Sequence, residues 1–250
     1  IRCTSLFLTL AEQLAFFAEL EYPPGTMNEQ GTSKSILTLD DETISYDGVI
    51  ALHNISLTVS AGEKIAIIGK SGVGKTTLLR RLYMEAPGLC AFIHQQHALV
   101  PQLSDFHNIY MGKLDTFPTV SNLINLVRPF KKYIEEITPI AEHLSLADKL
   151  FTRVGELSGG QQQRVGIGRA LYRGGAVMMA DEPVSSLDVF QREEIMQLIV
   201  NTANTVISSL HSVTLSMKFF DRLVGLRDNR ILFDKSASAV SKQLLAELYT

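Results

Sequence analysis

Lys64-Ile65-Ala66-Ile67-Ile68-Gly69-Lys70-Ser71-Gly72-Val73-Gly74-Lys75-Thr76-Thr77 decides how this chain is read. The apolar run from Ile65 to Ile68 is short, rich in β-branched residues and closed by a glycine, which predicts a buried strand. Leu78, Leu79 and Leu82 then recur at helical spacing. Between the two lies Gly69-x-x-x-x-Gly74-Lys75-Thr76. A strand, a glycine loop and a helix in this order make a phosphate cradle. Gly69, Gly72 and Gly74 let the backbone turn successive N–H groups inward at phosphate oxygens. The helix starting near Lys75 adds the positive end of its dipole. Lys75 is placed to reach the β- and γ-phosphates, and the Thr76 hydroxyl to ligate Mg²⁺. A glycine turn that binds nothing needs neither the Lys-Thr pair nor both flanking elements, so the stretch reads as a nucleotide site.

The rest of the chain sets bounds on what surrounds that site. Its 250 residues suffice for one large domain or a domain with an inserted lobe. A net charge of −3 gives no electrostatic reason to expect nucleic acid. Cys3 and Cys90 have neither metal-type spacing nor the density of a disulfide framework, which points to a reduced, cytosolic compartment. No stretch approaches the roughly 18 apolar residues of a membrane span, so work at a membrane would need other chains to cross it.

Upstream, residues 1 to 20 are apolar but broken by Glu12, Gln13 and Glu19, the pattern of a short amphipathic helix. Pro23-Pro24-Gly25 stops it, and a polar run leads to Ser35. Residues 1–35 are read as an extension and linker, with residues 1–26 either outside the core fold or a helix that docks on a partner. Residues 36–250 are read as one domain. Leu37 to Tyr46 and Ile55 to Val59 alternate as antiparallel strands around Asp47-Gly48, with Leu52, Ile55, Leu57 and Val59 facing a core. Tyr46 stands where a ring could stack on a flat base, though a strand tyrosine alone is more often filling.

Downstream, Cys90 to His94 reads as a further strand. Helical patches at Phe106–Met111, Val120–Val127 and Lys131–Leu144 alternate with Pro118, Pro129 and Pro139, and suggest a helical lobe of about residues 101–172 inserted into an α/β core. Exposed lobe residues such as Phe106 and Tyr110 are expected there. Ser158 suits the N-cap of a helix running to about Tyr172, and the glycines after it leave N–H groups open, a second anion site. The apolar strand Ala176–Ala180 ends in Asp181-Glu182, two adjacent carboxylates that are costly at a buried strand tip unless a cation such as Mg²⁺ pairs with them. A helix from Val189, a buried strand from Thr205 to Leu210, closing strands at Leu223–Leu226 and Ile231–Phe233, and a helix at Ser241–Leu248 complete the pattern. His211, at the end of a strand, should share a sheet edge with Asp181 and the glycine loop.

The glycine loop, Leu157-Ser158-Gly159-Gly160-Gln161, Asp181-Glu182 and His211 occur in an order that resembles the ATP-binding subunit of an ABC transporter, over roughly residues 36 to 235. Gln95 to Leu103, and Leu210 to Val213 running on to Asp221–Arg227, look closest to the phosphonate-import branch. The implied fold is α/β: a P-loop NTPase with a mostly parallel core sheet, a reduced antiparallel β lobe and the inserted helical lobe. By that resemblance Tyr46 would stack on adenine, and Gly69, Lys70, Ser71, Gly72, Val73, Gly74, Lys75, Thr76 and Thr77 would wrap the phosphates of ATP. Thr76, Gln95 and Asp181 would surround Mg²⁺. Glu182 would be the general base or polariser for the attacking water, and His211 would contact the γ-phosphate. Lys75 and Gln95 would complete the catalytic set. Ser158, Gly160 and Gln161 would bind ATP held by a second copy, with Asp188 at the boundary between the two.

The same resemblance implies membrane-spanning permease subunits, a separate solute-binding protein, no nucleic acid, and a peripheral place on the cytoplasmic face of the cell membrane. The alternative is a soluble ABC-type ATPase that uses ATP-driven dimerisation without transport. Two features depart from the family pattern. The segment from Thr76 to Gln95 is short, which trims the antiparallel lobe. Gly168 stands where alanine is common, at about 1 kcal/mol of helix propensity.

Overall fold

The computed structural model describes residues 35–46, 49–94 and 98–250; the side chain of Tyr46 lies outside that set. The expected extension therefore falls outside the described residues apart from Ser35, and so do the Asp47-Gly48 turn and Gln95.

β1 (Ser35–Tyr46) and β2 (Val49–Ser60) form a two-stranded antiparallel ribbon. Leu37, Leu39, Ile44, Leu52, Ile55, Leu57 and Val59 are buried, with strict alternation from Ile55 to Val59. β2 starts six residues earlier than the pattern suggested. Register shifts between Leu39 and Ser45 break the alternation opposite its first half, so the sequence hides it.

β3 (Lys64–Gly69), α1 (Lys75–Glu85) and β4 (Cys90–Ile93) follow. The lobe comes next, with α2 (Asp105–Tyr110), a 3₁₀ stretch Met111–Thr116, α3 (Thr119–Val127) and α4 (Lys131–His143), which runs through Pro139. α5 (Gly159–Arg173), β5 (Val177–Asp181), α6 (Val189–Thr202) and β6 (Thr205–Ser209) return the chain to the sheet. α7 (Val213–Phe219), which the sequence reading missed, precedes β7 (Arg222–Arg227), β8 (Arg230–Ser236) and α8 (Lys242–Tyr249).

The main sheet runs β4-β5-β6-β3-β7-β8, parallel except for the antiparallel edge strand β8. Its strands are apolar on both faces, as a sheet covered on two sides requires. Ile65, Ile67, Val177, Met179 and Ile207 pack toward α1 and the β1–β2 ribbon. Ala66, Ile68, Met178, Ala180 and Val206 pack toward the helical lobe and the later helices. β3 sits centrally, so the loop that leaves it opens at the middle of the sheet edge.

The lobe corrects one expectation. Phe106 and Tyr110 are buried rather than exposed, because α2 packs on α5. Gly168 lies at that contact: a methyl group there would sit 3.0 Å from both Ile109 and Leu144. Glycine there lets the Ile109 and Leu144 side chains approach the helix backbone closely. α3 is turned the unusual way round. Asn125 is fully buried and accepts the Phe130 N–H at 2.9 Å, while Val120, Leu123, Ile124 and Val127 face outward.

Candidate functional site

The candidate site lies at the carboxyl ends of β3, β5 and β6. Asp181 pairs with Ser209 across β5–β6, and Ser209 pairs with Ile67 of β3, two residues before Gly69. Strand register alone therefore brings the glycine loop, Asp181-Glu182 and His211 together.

Gly69 has φ 151°, and a side chain there would run into the Leu226 carbonyl. Gly74 has φ 104° and serves as the N-cap of α1, with Leu52 filling the space a Cβ would need. Only glycine fits either position. Because Gly74 offers no side-chain cap, the first N–H groups of α1 are left for another acceptor. Lys75 is buried, and its Nζ donates to the carbonyls of Gly69 at 3.0 Å and Lys70 at 3.1 Å. Burial lowers the pKa of this ammonium, while Glu182 and Asp181 act to raise it. Thr76 and Thr77 are half-buried at the start of α1; Lys70, Ser71 and Gly72 are exposed and Val73 is buried.

Ser209 ties the two acids together. Its hydroxyl donates to Asp181 Oδ1 at 2.6 Å and accepts the Glu182 N–H at 3.0 Å. Sequence reasoning missed this residue, one of two serines that end the buried strand Thr205–Ser209. Glu182 stands at φ 50°, a left-handed backbone for a non-glycine residue. Its Oε1 meets His211 Nε2 at 2.6 Å. The carboxylate is nearly buried and the imidazole half-exposed, so the pair spans the border between sheet edge and solvent. Asp181 and Thr76 present hard oxygen donors, the type a small divalent cation takes.

The Ser158 segment is built differently. Ser158 caps α5 by accepting the Gln161 N–H at 3.3 Å, and Gln161 Oε1 accepts the Ser158 N–H at 2.9 Å, a reciprocal capping box. Gln163 donates to the Pro183 carbonyl, and a methyl group at Gly160 would lie 3.6 Å from Leu187. Among the described residues, Ser158, Gly160 and Gln161 make no hydrogen bond to residues 69–77. Asp188 caps α6 through the N–H groups of Phe190 and Gln191, both at 3.0 Å.

Tyr46 pairs its backbone with Val49. Its ring, like Gln95, lies outside the described residues. His94, just before Gln95, lines a groove of about 410 Å³ together with Phe92, Met111, Leu114, Arg169 and Arg173. Burial and the nearby Arg169 and Arg80 hold the His94 pKa below its usual value.

A central parallel sheet, a glycine cradle with a buried lysine at its helix start, and an acid pair at the neighbouring strand tip define a P-loop nucleotide-hydrolysing cassette. Residues 52–185 match the ABC transporter family, and the chain belongs to it as an ATP-hydrolysing cassette. Among curated relatives, the "Phosphonates import ATP-binding protein PhnC 1" of Pseudomonas savastanoi pv. phaseolicola is 36% identical over 232 residues, covering 81% of this chain and 87% of its own. The corresponding protein of Pseudomonas putida is 34% identical over 246 residues, covering 87% and 91%. Among solved structures, "Dimeric Structure of MJ0796, a Bacterial ABC Transporter Cassette" superposes with a TM-score of 0.71 at 24% identity, covering 81% of this chain and 99% of that one. That likeness is one of fold.

Proposed function

We propose that this chain binds and hydrolyses ATP to energise an importer of phosphonate or a related phosphorus oxyanion. The arrangement of Lys75, Asp181, Glu182 and His211 around one strand edge carries the hydrolytic part of this reading. The names and coverage of the relatives support the solute class.

Phosphoryl transfer needs mainly positioning and neutralisation of charge. Residues 69–77 wrap the phosphates, with Lys75 turning from the loop carbonyls toward the β- and γ-oxygens. Tyr46 stacks on adenine. Thr76, Gln95 and Asp181 would hold Mg²⁺, which would supply positive charge to offset that developing on the phosphate. Glu182 orients the attacking water and draws off its proton, and its contact with His211 fixes the carboxylate in place. His211 exchanges part of that contact for the γ-phosphate when ATP arrives.

The site is completed by a second copy of the chain. The first turn of α5, with Ser158, Gly160 and Gln161, meets the γ-phosphate of the partner's ATP. Val189 and Phe190, beside Asp188, are 72% and 90% exposed, an apolar pair suited to that boundary. The groove beside His94 receives a short helix of a permease subunit, so that Gln95 couples nucleotide state to transport at the cytoplasmic face of the membrane. A separate solute-binding protein delivers the solute, and nucleic acid has no part.

Deleting the gene and comparing growth on phosphonate, phosphite and inorganic phosphate as sole phosphorus sources tests the solute class. Loss of growth on phosphonate or phosphite alone is expected. Unchanged growth on all three would remove the phosphonate assignment. Recovery of the chain without any membrane-spanning partner would favour the soluble, dimerising ATPase instead.

A further inference from the structure

The last helix, α8, reaches the loop that opens the nucleotide site. Two cations from the sheet edge and the glycine loop reach carbonyls of its last described turn. Lys70 Nζ donates to the Thr250 carbonyl at 2.7 Å, and Arg227 donates to the Glu247 carbonyl at 2.8 Å. The Tyr249 phenol lies against the Gly69 backbone amide. Leu248 anchors the helix in the core at 1% exposure. Gly69 and Lys70 are also the residues whose carbonyls Lys75 holds. The two residues that open the cradle are thus gripped by Lys75 and by α8. A cavity of about 270 Å³, lined by Lys70, Ser71, Val73, Arg227, Asn229 and Leu248 among others, lies beside the loop at this contact.

We propose that α8 braces the phosphate cradle, so that docking of its last turn on Gly69 and Lys70 and binding of nucleotide favour one another. A glycine loop beside a cavity samples orientations in which its N–H groups miss the phosphates, and ordering it on binding weakens affinity. With α8 docked, that ordering is already done. Linkage is reciprocal: nucleotide must hold α8 in place as strongly as α8 favours nucleotide. Lys70, Tyr249 and Leu248 are positioning residues in this scheme.

The inference rests on reading residues 69–77 as the phosphate cradle. Wild-type ATP affinity in Lys75→Ala would remove that reading, whatever the behaviour of α8. The brace is tested by hydrogen exchange across residues 242–250 in the full chain carrying Glu182→Gln, with and without Mg²⁺ and ATP. Exchange there should slow when nucleotide binds. Tyr249→Ala and Lys70→Met should each raise the Kd for ATP and for ADP about fivefold or more, the lower end of ordinary coupling. Both should also abolish the slowing. Equal exchange in the two states, with Tyr249→Ala binding nucleotide as wild type does, would overturn the brace. Weakened binding in Lys70→Met alone would then mean that Lys70 touches the nucleotide directly.

Discussion

One hydroxyl, that of Ser209, holds both acids of the site, so its loss should be felt twice. Ser209→Ala leaves Asp181 without its donor and takes from the Glu182 N–H one acceptor, though the Ser209 carbonyl at 3.2 Å remains. An orphaned buried group costs about 1–3 kcal/mol, and each kcal/mol is about 2–4 °C of melting temperature for a chain of this size. Thermal melts should show that drop, and steady-state assays a fall in turnover larger than any change in ATP affinity. Glu182 and Lys75 should separate in the opposite sense from each other. Glu182→Gln keeps the shape and should retain ATP while losing on the order of a hundredfold or more in turnover, the lower range for a general base. Lys75→Ala should lose affinity first, which equilibrium binding of labelled ATP will show. Wild-type hydrolysis by Glu182→Gln would remove its role. The motifs of the site could be read from sequence because most are contiguous. Ser209 could not, since its partners lie across a sheet and register is not written locally. The meeting of His211 with Glu182 was foreseeable only as a shared edge.

At the scale of single elements, α2 and α3 carry groups on unexpected faces. Asp105 opens α2 with both carboxylate oxygens buried and without hydrogen-bond partners. Burial pushes its pKa up to about 7 from 3.8, outweighing any help from the helix start. The folded chain therefore holds a proton that the unfolded chain has already released. Stability is greatest below about pH 4 as far as this group decides, and declines as pH rises to about 7. Asp105→Asn, which cannot ionise, should flatten that part of the stability–pH curve and melt above wild type at pH 8. A melting curve at pH 8 no higher than wild type would count against an ionised, buried Asp105.

For α3 the expected pattern of mutational cost is inverted. Leu123→Ser or Val127→Ser should stay within about 0.5 kcal/mol of wild type, as surface changes do. Asn125→Leu should cost more, because the Phe130 N–H loses its acceptor. Chemical denaturation of the three variants will rank them. Periodicity located α3 and α2 correctly but not which side of each turns inward, since that depends on neighbours distant in sequence. Residues 213–219 alternate polar and apolar types over barely two turns, so α7 left no periodic trace.

The whole molecule offers two surfaces at different ends of the same chemistry. Among the described residues, the loop of residues 69–77 and the first turn of α5 share no hydrogen bond, so on the proposed reading they are two phosphate-facing ends that meet only through a second copy. Ser158→Arg should therefore bind ATP normally, fail to turn over, and suppress turnover when mixed with wild type. ATPase activity per chain should rise with protein concentration. Activity per chain that stays constant down to the lowest concentration assayed, with no dimer in sedimentation, would contradict the paired arrangement.

The left-handed backbone of Glu182 has a consequence for how variants of this chain persist. Relieving that conformation returns about 1–2 kcal/mol, against about 0.5–1 kcal/mol of extra chain freedom that glycine adds to the unfolded state and about 0–1 kcal/mol for the lost contact with the half-exposed His211. Glu182→Gly should melt close to wild type while turning over no ATP. Foldability then exerts no pressure to keep the acid, and only use does. In a population where the transported solute is abundant by another route, this position is where inactive alleles can accumulate while the protein remains as soluble and as abundant as before. A screen that sorts variants by expression or heat resistance would retain Glu182→Gly.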